Sequence, residues 1–129
     1  LDDNYTLVNE LRYKVFEYCA KNETDLIFTV VYGGKEDESI FKEYISKINE
    51  YGFEISFVEL TASSDDLINR VENESRKKYK KLTDQHVMKN LVADLSVFSI
   101  PFVDSLKVNT SELTADESAQ YIAKQLGLL

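Results

Sequence analysis

The sequence predicts an α/β protein in which a parallel sheet is sandwiched by helices. Stretches with helical periodicity alternate with short strand-like stretches in the order α-β-α-β-α-α-β-α. One stretch, residues 26–32 (LIFTVVY), is continuously apolar and rich in β-branched residues, which is typical of a strand buried on both faces of a parallel sheet. The chain has 129 residues, 43% of them hydrophobic, and this suits a single domain over residues 1–129 with one core.

In the first half of the chain, one helix is predicted before that strand and another after it in the sequence. An amphipathic helix over residues 5–22 precedes it, and a second helix over residues 37–51 follows a Gly33-Gly34 break and stops at Gly52. The predicted inward-facing residues are Val8, Leu11, Val15, Tyr18 and Cys19 in the first helix and Ile40, Phe41, Tyr44, Ile45 and Ile48 in the second.

The second half is predicted to add two strands and three helices. A strand over residues 54–60 leads into a helix capped by an oxygen of Ser63, Ser64 or Asp65. A fourth helix begins at Thr83, a loop with Pro101 follows, and a short strand covers residues 105–108. The last helix opens with a T-A-D-E capping box at residues 114–117. The predicted inward-facing residues are Leu67, Ile68, Val71, Val87, Met88, Leu91, Val92, Leu95, Ala119, Ile122, Ala123 and Leu126.

Charge and composition exclude several classes of protein. The net charge of −8 argues against nucleic-acid binding, and no apolar run reaches the length of a membrane span. A single cysteine, Cys19, cannot form an internal disulfide, so we expect a cytoplasmic protein. The first residue is Leu1 rather than Met, from which we expect a trimmed chain or a fragment.

A basic segment stands out in this acidic chain, because five of its fifteen Lys and Arg residues lie within residues 76–81. One interpretation is a solvated helix continuing to Lys81, in which acids pair with bases four residues later. Those pairs are Asp66–Arg70, Glu72–Arg76 and Glu74–Lys78. The same helix would place Arg76 against Lys80 and Lys77 against Lys81, which repel. A second interpretation is an anion that relieves this repulsion, and we favour a phosphate slightly. A nucleic acid is the third interpretation and the weakest, because the patch is small and contains only one aromatic residue, Tyr79.

Other motifs for phosphate, metal or nucleophilic chemistry are weak. The turn at residues 32–35 follows a strand, but acids follow its lysine, and the chain has no G-K-[ST] sequence. His86 has no second His or Cys at ligand spacing, so no metal site is predicted. Glu59, at the end of the second strand, is either a ligand contact at the carboxyl edge of the sheet or merely solvated.

The run FVELTASSDDLINRVENESRKKYKKLTD resembles the lid-bearing part of small P-loop kinases, the group of shikimate kinase, gluconate kinase and zeta-toxin-like proteins. The L-x-x-R element of that group is matched by residues 67–70, and its lid by residues of about 72–82. The C-terminal run SLKVNTSELTADESAQYIAKQLGL is similar to the last strand, the following turn and the closing helix of the group. The strand over residues 26–32 and the helix after it would be the group's third strand and helix.

The resemblance implies a P-loop NTPase-like fold and a nucleotide site. It places Arg70 and Arg76 near the nucleotide and implies that Arg76, with Lys80 or Lys81, reaches the transferring phosphate, so Arg76 and Lys80 are the implied catalytic residues. The turn Asn109, Thr110 and Ser111 would border the adenine. ATP, Mg²⁺ and an unidentified small-molecule acceptor are implied for a full-length protein.

The departure from the group is the missing N-terminal strand, Walker A loop and helix. We therefore expect this fragment to bind no cofactor and to be inactive by itself. The missing strand would lie between the third and fourth strands of the group, so we expect unpaired sheet edges and homodimerisation or strand exchange. The alternative is a non-catalytic α/β interaction module that lacks a phosphate loop.

Overall fold

The computed structural model describes residues 2–94 and 99–129, and these fall into two compact units. The first unit extends to Ile55, and the second runs from Ser56 to Leu129. The single domain expected from the sequence stays a prediction. The helices and strands are α1 (Asp2–Lys21), a 3₁₀ turn (Lys35–Asp37), α2 (Glu38–Glu50), β1 (Phe57–Thr61), α3 (Ser64–Arg70), α4 (Glu74–Lys78), α5 (Gln85–Asp94), β2 (Ser105–Asn109) and α6 (Ala115–Gln125).

The first unit is held together by an aromatic cluster between α1 and α2. Phe16 is only 1% exposed, and its ring meets those of Phe28 and Tyr44 edge-on, with centroids 5.1 and 6.1 Å apart. Phe41 adds a further contact with Tyr44 and one with Tyr32. Edge-to-face pairs of this kind contribute about 0.5–1.5 kcal/mol each beyond their burial. The predicted inner stripe of α2, which includes Phe41 and Tyr44, is confirmed.

The inner face of α1 is not the one that the periodicity predicted. Phe16 and Cys19 are buried, whereas Val8, Leu11, Val15 and Tyr18 are between 41% and 66% exposed. The prediction that these four side chains face inward was therefore wrong, and only Cys19 was placed correctly. The reason is that α1 packs in this unit through the aromatic stripe around Phe16, and two stripes of a helix cannot both face one neighbour.

The segment over residues 26–32 was predicted to be a buried strand, and this prediction was wrong. No β ladder includes it, and Ile27 and Val31 are 94% and 88% exposed. We call these seven residues the apolar segment. A strand needs a partner strand for its backbone groups, and the unit's described residues supply none.

The second unit contains a parallel pair of strands. β1 and β2 are in register from Phe57 opposite Ser105 to Thr61 opposite Asn109, so both strands end at the same edge. The buried apolar residues described in this unit are Val108 of β2 and Val71, the residue after α3, which are 2% and 0% exposed. Both predicted strands are confirmed, although β1 begins three residues later than expected and each extends by one residue.

Two helices of the second unit, α3 and α6, begin at their predicted caps, whereas α5 begins at Gln85 rather than at the predicted Thr83. Ser63 caps α3 by accepting a hydrogen bond from the backbone of Asp66, and the Thr114–Glu117 capping box opens α6. A single helix from α3 to Lys81 was wrong, because α3 ends at Arg70 and α4 is a separate helix of five residues. Leu95, predicted for the buried stripe of α5, lies outside the described residues, as does Phe98.

The observed architecture agrees with the α/β class expected from the sequence. Helices accompany a two-stranded parallel sheet in the part of the chain that the structure describes. That this sheet belongs to a P-loop NTPase core is a proposal. Over residues 2–94 and 99–129, no helix is both long enough and apolar enough to traverse a lipid bilayer.

Candidate functional site

The carboxyl ends of β1 and β2 lie side by side and hold a cluster of polar side chains. Ligands of open α/β sheets bind at this kind of edge, because strand ends leave backbone groups and loops facing outward there. We call this group the carboxyl-end cluster. Its members are Thr61, Ser63, Asp66, Arg70, Asn109, Thr110 and Ser111.

Arg70, the last residue of α3, binds Thr110 through both terminal nitrogens. Its Nη1 donates to the Thr110 hydroxyl at 2.9 Å, and its Nη2 donates to the Thr110 carbonyl at 2.5 Å. The same hydroxyl donates to the carbonyl of Thr61 at 2.8 Å, which ties the turn after β2 to the end of β1. The fixed fork of a guanidinium suits such paired contacts, which orient its plane.

A second set of contacts joins the start of α3 to the same turn. The Ser111 hydroxyl accepts a hydrogen bond from the backbone N–H of Ser63 at 2.8 Å and also bonds the carboxylate of Asp66. The hydrogen bonds from Ser111 and Ser63, with the charge of Arg70, lower the pKa of Asp66. Asp66 is therefore an anion at neutral pH and holds the Ser111 hydroxyl in one orientation.

The turn after β2 is also fixed from within. The side-chain oxygen of Asn109 accepts from the backbone N–H of Ser111 at 3.1 Å, and its amide donates to Glu112 at 2.9 Å. This is an Asx turn, in which a short polar side chain replaces a backbone acceptor. The turn thus presents a prearranged edge rather than a loose loop.

The cationic side chains in the first half of the basic segment have partners close by in the sequence. The side-chain Nε of Arg76 donates to the carbonyl of Leu82 at 2.8 Å, and Lys77 pairs with Glu74 at 2.8 Å. The ammonium of Lys78 lies 5.4 Å from the centre of the Tyr79 ring. The predicted pair of Glu72 with Arg76 is not formed, because α4 begins only at Glu74. The predicted pair of Glu74 with Lys78 is not formed either, because Glu74 pairs with Lys77.

Lys80 and Lys81 are different from their neighbours. Both are exposed, and in the described residues no hydrogen bond or ion pair of their side chains is found. Lys80 has a φ of 52°, a left-handed conformation that is unfavourable for a residue other than glycine. It follows Tyr79, the C-cap of α4, and the N–H of Lys81 then donates back to the carbonyl of Arg76 at 2.9 Å. The two ammonium groups are therefore free to meet an anion.

The structure brings together only part of the set expected from the sequence. Arg70 and the turn Asn109, Thr110 and Ser111 meet in the carboxyl-end cluster. Arg76, Lys80 and Lys81 have no contact with that cluster among the described residues. The interpretation of Arg70 as a surface partner of Asp66 was incomplete, because its two short contacts are to Thr110.

Sequence reasoning missed the roles of Thr61, Ser63 and Asp66 in the cluster. Ser63 was recognised as a helix cap, and a cap that follows a strand end directly is a signal for this position. Nothing in the sequence indicates that Thr61 accepts from Thr110, since that contact depends on the pairing of β1 with β2. Glu59, weighed as a ligand contact, accepts a hydrogen bond from Ser99 at 2.9 Å.

Two open clefts lie outside the cluster. One of about 340 Å³ separates α3 from α5 and is lined by Asp65, Ile68, Asn69, Gln85 and Lys89. The other, of about 240 Å³, lies between α1 and α2. Its lining includes Tyr13, whose pKa is raised by burial and by the neighbouring Glu43. Neither cleft contains a residue of the expected site.

Comparisons with protein-family models, with curated proteins and with solved structures found no match to this chain.

Proposed function

We propose that this chain is the adenine-side and lid-bearing part of a small P-loop kinase-like nucleotide-binding protein. The observation that supports this is the contact between Arg70 and Thr110, which lie 40 residues apart in the sequence. Both were expected at a nucleotide from separate motifs, and they meet at the edge of a parallel sheet where nucleotides bind in α/β proteins.

In the complete protein the γ-phosphate of ATP would pass to a small molecule, with Mg²⁺ bound. The carboxyl-end cluster would border the adenine with the turn Asn109, Thr110 and Ser111. Arg76, Lys80 and Lys81 would meet the phosphates, since phosphoryl transfer is catalysed mainly by positioning and by stabilising negative charge. A glycine-rich loop followed by G-K-[ST] is absent from these 129 residues, so this chain alone would have no transferase activity.

The first test is the coding sequence upstream of Leu1. We expect it to encode a strand followed by G-x-x-x-x-G-K-[ST], which supplies the backbone N–H groups and the lysine that hold the phosphates. An upstream sequence without such a loop would contradict the kinase proposal.

The second test measures Mg·ATP binding to the complete gene product by calorimetry. Replacing Arg76, Lys80 and Lys81 together by Ala should weaken binding at least about tenfold, because hydrogen bonds to charged groups contribute about 1.5–3 kcal/mol each. The control replaces Lys14, Lys21 and Lys124, three exposed lysines, so that the net charge changes by the same amount. Equal effects of the two triple variants would show that only the overall charge matters.

A second candidate is a non-catalytic α/β interaction module, and the saturation of Arg70 favours it. Both terminal nitrogens of Arg70 already donate to Thr110, so its role is satisfied without a ligand. This candidate predicts that Mg·ATP leaves the melting temperature of the complete gene product unchanged. A rise in melting temperature that the Arg76, Lys80 and Lys81 variant loses would exclude it.

A further inference from the structure

A cleft of about 340 Å³ lies between α3 and α5, two helices of the second unit that pack against each other. Its lining from α3 is Asp65, Ile68 and Asn69, whose spacing of three and four residues places them on one face of that helix. Its lining from α5 is Gln85 and Lys89, which are four residues apart and so also share a face. We call this space the α3–α5 cleft. Its volume lies within the range of about 300–1,000 Å³ that is typical of small-molecule sites.

The two faces that line the α3–α5 cleft are polar, whereas helices that pack together usually present apolar side chains to each other. Ile68 is the one apolar residue among the five that line it. Contact between polar faces removes little apolar surface from water, so packing alone gives no reason for this lining. A small polar ligand with one apolar part would fit it.

The four polar side chains of the cleft have no hydrogen-bond or ion-pair partner within residues 2–94 and 99–129. Asp65 and Lys89 carry opposite charges and line the same cleft from different helices, yet they do not pair with each other. Asn69 and Gln85 add two amides, each of which can both donate and accept. A ligand that satisfies this set carries a cation and an anion within a small volume.

We propose that the α3–α5 cleft binds a free α-amino acid with an aliphatic side chain. The carboxylate of Asp65 accepts hydrogen bonds from the ammonium group of the ligand, and the ammonium of Lys89 donates to the carboxylate of the ligand. The amides of Asn69 and Gln85 bond the remaining donors and acceptors of these two groups. Ile68 contacts the aliphatic side chain, which explains one apolar residue in a polar lining.

Charge makes other small ligands less suitable for the cleft. A phosphate would meet one cation, Lys89, and would be repelled by Asp65. A divalent metal ion would meet one carboxylate, and no group of three or more metal-ligating side chains is found in the described part of the chain. None of the five lining residues belongs to the carboxyl-end cluster or to the basic segment, so the proposal does not depend on nucleotide binding.

The ligand class is tested by NMR titration of the 129-residue chain with three probes. L-leucine should cause saturable shifts of the Ile68 methyl groups and of the side-chain amides of Asn69 and Gln85. N-acetyl-L-leucine lacks the ammonium group and L-leucinamide lacks the carboxylate, so each should bind at least about fivefold more weakly. The absence of saturable shifts with L-leucine would overturn the proposal, as would a blocked probe that binds as tightly as L-leucine.

The roles of the two charged residues are tested by isosteric variants with the same probes. Asp65→Asn should remove the preference for L-leucine over N-acetyl-L-leucine and keep that over L-leucinamide, whereas Lys89→Gln should do the converse. The controls Asp116→Asn and Lys124→Gln make the same charge changes at exposed residues of α6 and should leave all three affinities unchanged. If the variants of Asp65 and Lys89 keep both preferences, L-leucine binds elsewhere and the proposal is wrong.

Discussion

The apolar segment and β1 are alike as sequences and different in the structure. Both are short and mostly apolar, both contain β-branched residues, and both lie between two helical elements. β1 pairs with β2 along five residues, whereas the apolar segment has no ladder and exposes Ile27 and Val31. The difference shows that an apolar, β-branched sequence indicates only that a segment can pair as a strand. A strand forms where a partner strand is available.

The neighbouring residues show the same contrast in polar groups. At the end of β1, the carbonyl of Thr61 accepts from the turn after β2 and the N–H of Ser63 donates to it, so the backbone there is satisfied by a distant part of the chain. At the end of the apolar segment, the N–H of Gly33 donates to Asp37, only four residues away. A candidate site forms where the distant contacts are, because such contacts fix side chains from several elements at once.

The largest expected effect on stability comes from removing the Phe16 ring, against which the apolar segment packs. Phe16→Ala should lower the free energy of unfolding of the first unit by about 3–5 kcal/mol, since the ring is buried against Phe28 and Tyr44. Urea denaturation at dilute concentration measures it. Ile27→Ala, on the uncovered face, should change stability by less than about 0.5 kcal/mol. A large loss for Ile27→Ala would mean that the segment is buried on both faces after all.

The next effect compares two valines, one in a paired strand and one in an unpaired strand. Val108→Ala should cost about 2 kcal/mol, because it removes two buried methyl groups from β2 and leaves a cavity. Val31→Ala should cost less than about 0.5 kcal/mol in the monomer, since this side chain is 88% exposed. Thermal unfolding of both variants at one low concentration makes the comparison, and equal losses would contradict it.

A smaller effect is expected from an isosteric pair of threonine changes. Thr110→Val should cost about 1–2 kcal/mol, because it removes the hydroxyl that accepts from Arg70 and donates to the carbonyl of Thr61. Thr29→Val makes the same change in the apolar segment, where the hydroxyl has no partner among the described residues, and should be near neutral. The stability of the two variants is compared by urea denaturation. A neutral Thr110→Val would remove the argument that the carboxyl-end cluster is fixed by these contacts.

The smallest effect is on the pKa of Asp66, which hydrogen bonds from Ser111 and Ser63 hold below the ordinary value of 3.8. A depressed folded-state pKa contributes stability above pH 3.8, and this contribution is lost as the pH falls through the lower folded-state pKa. Ser111→Ala should raise the Asp66 pKa, measured by NMR titration of its carboxyl carbon. Ser75→Ala, which removes an exposed hydroxyl from α4, is the control and should leave that pKa unchanged.

Local signals in the sequence were sufficient for most of the elements. The capping oxygens of Ser63 and Thr114 marked the starts of α3 and α6. A cap bonds a backbone N–H only three residues away, so a short stretch of sequence is enough to recognise it. The break between α3 and α4 was missed. The end of α4 was missed as well, and the left-handed backbone of Lys80 that follows it was not to be expected from a run of charged residues.

Long-range contacts could not be predicted in the same way. Periodicity in α1 allowed two apolar stripes, and the choice of Phe16 over Leu11 depends on which neighbour the helix meets. Likewise, Asp66 lies four residues before Arg70, a spacing that allows an ion pair on a helix, yet Arg70 makes its short contacts with Thr110. Where two partners are locally acceptable, tertiary packing selects one.

The sequence by itself determined the α/β class, the caps of α3 and α6 and the concentration of positive charge at residues 76–81, since each depends on composition or on near neighbours. Only the tertiary structure decided that β1 pairs with β2, that Arg70 holds Thr110 and that Lys80 and Lys81 stay unpaired among the described residues. The physical reason is that a strand edge or a guanidinium is satisfied by whatever lies within about 3 Å of it, and chain order does not specify that.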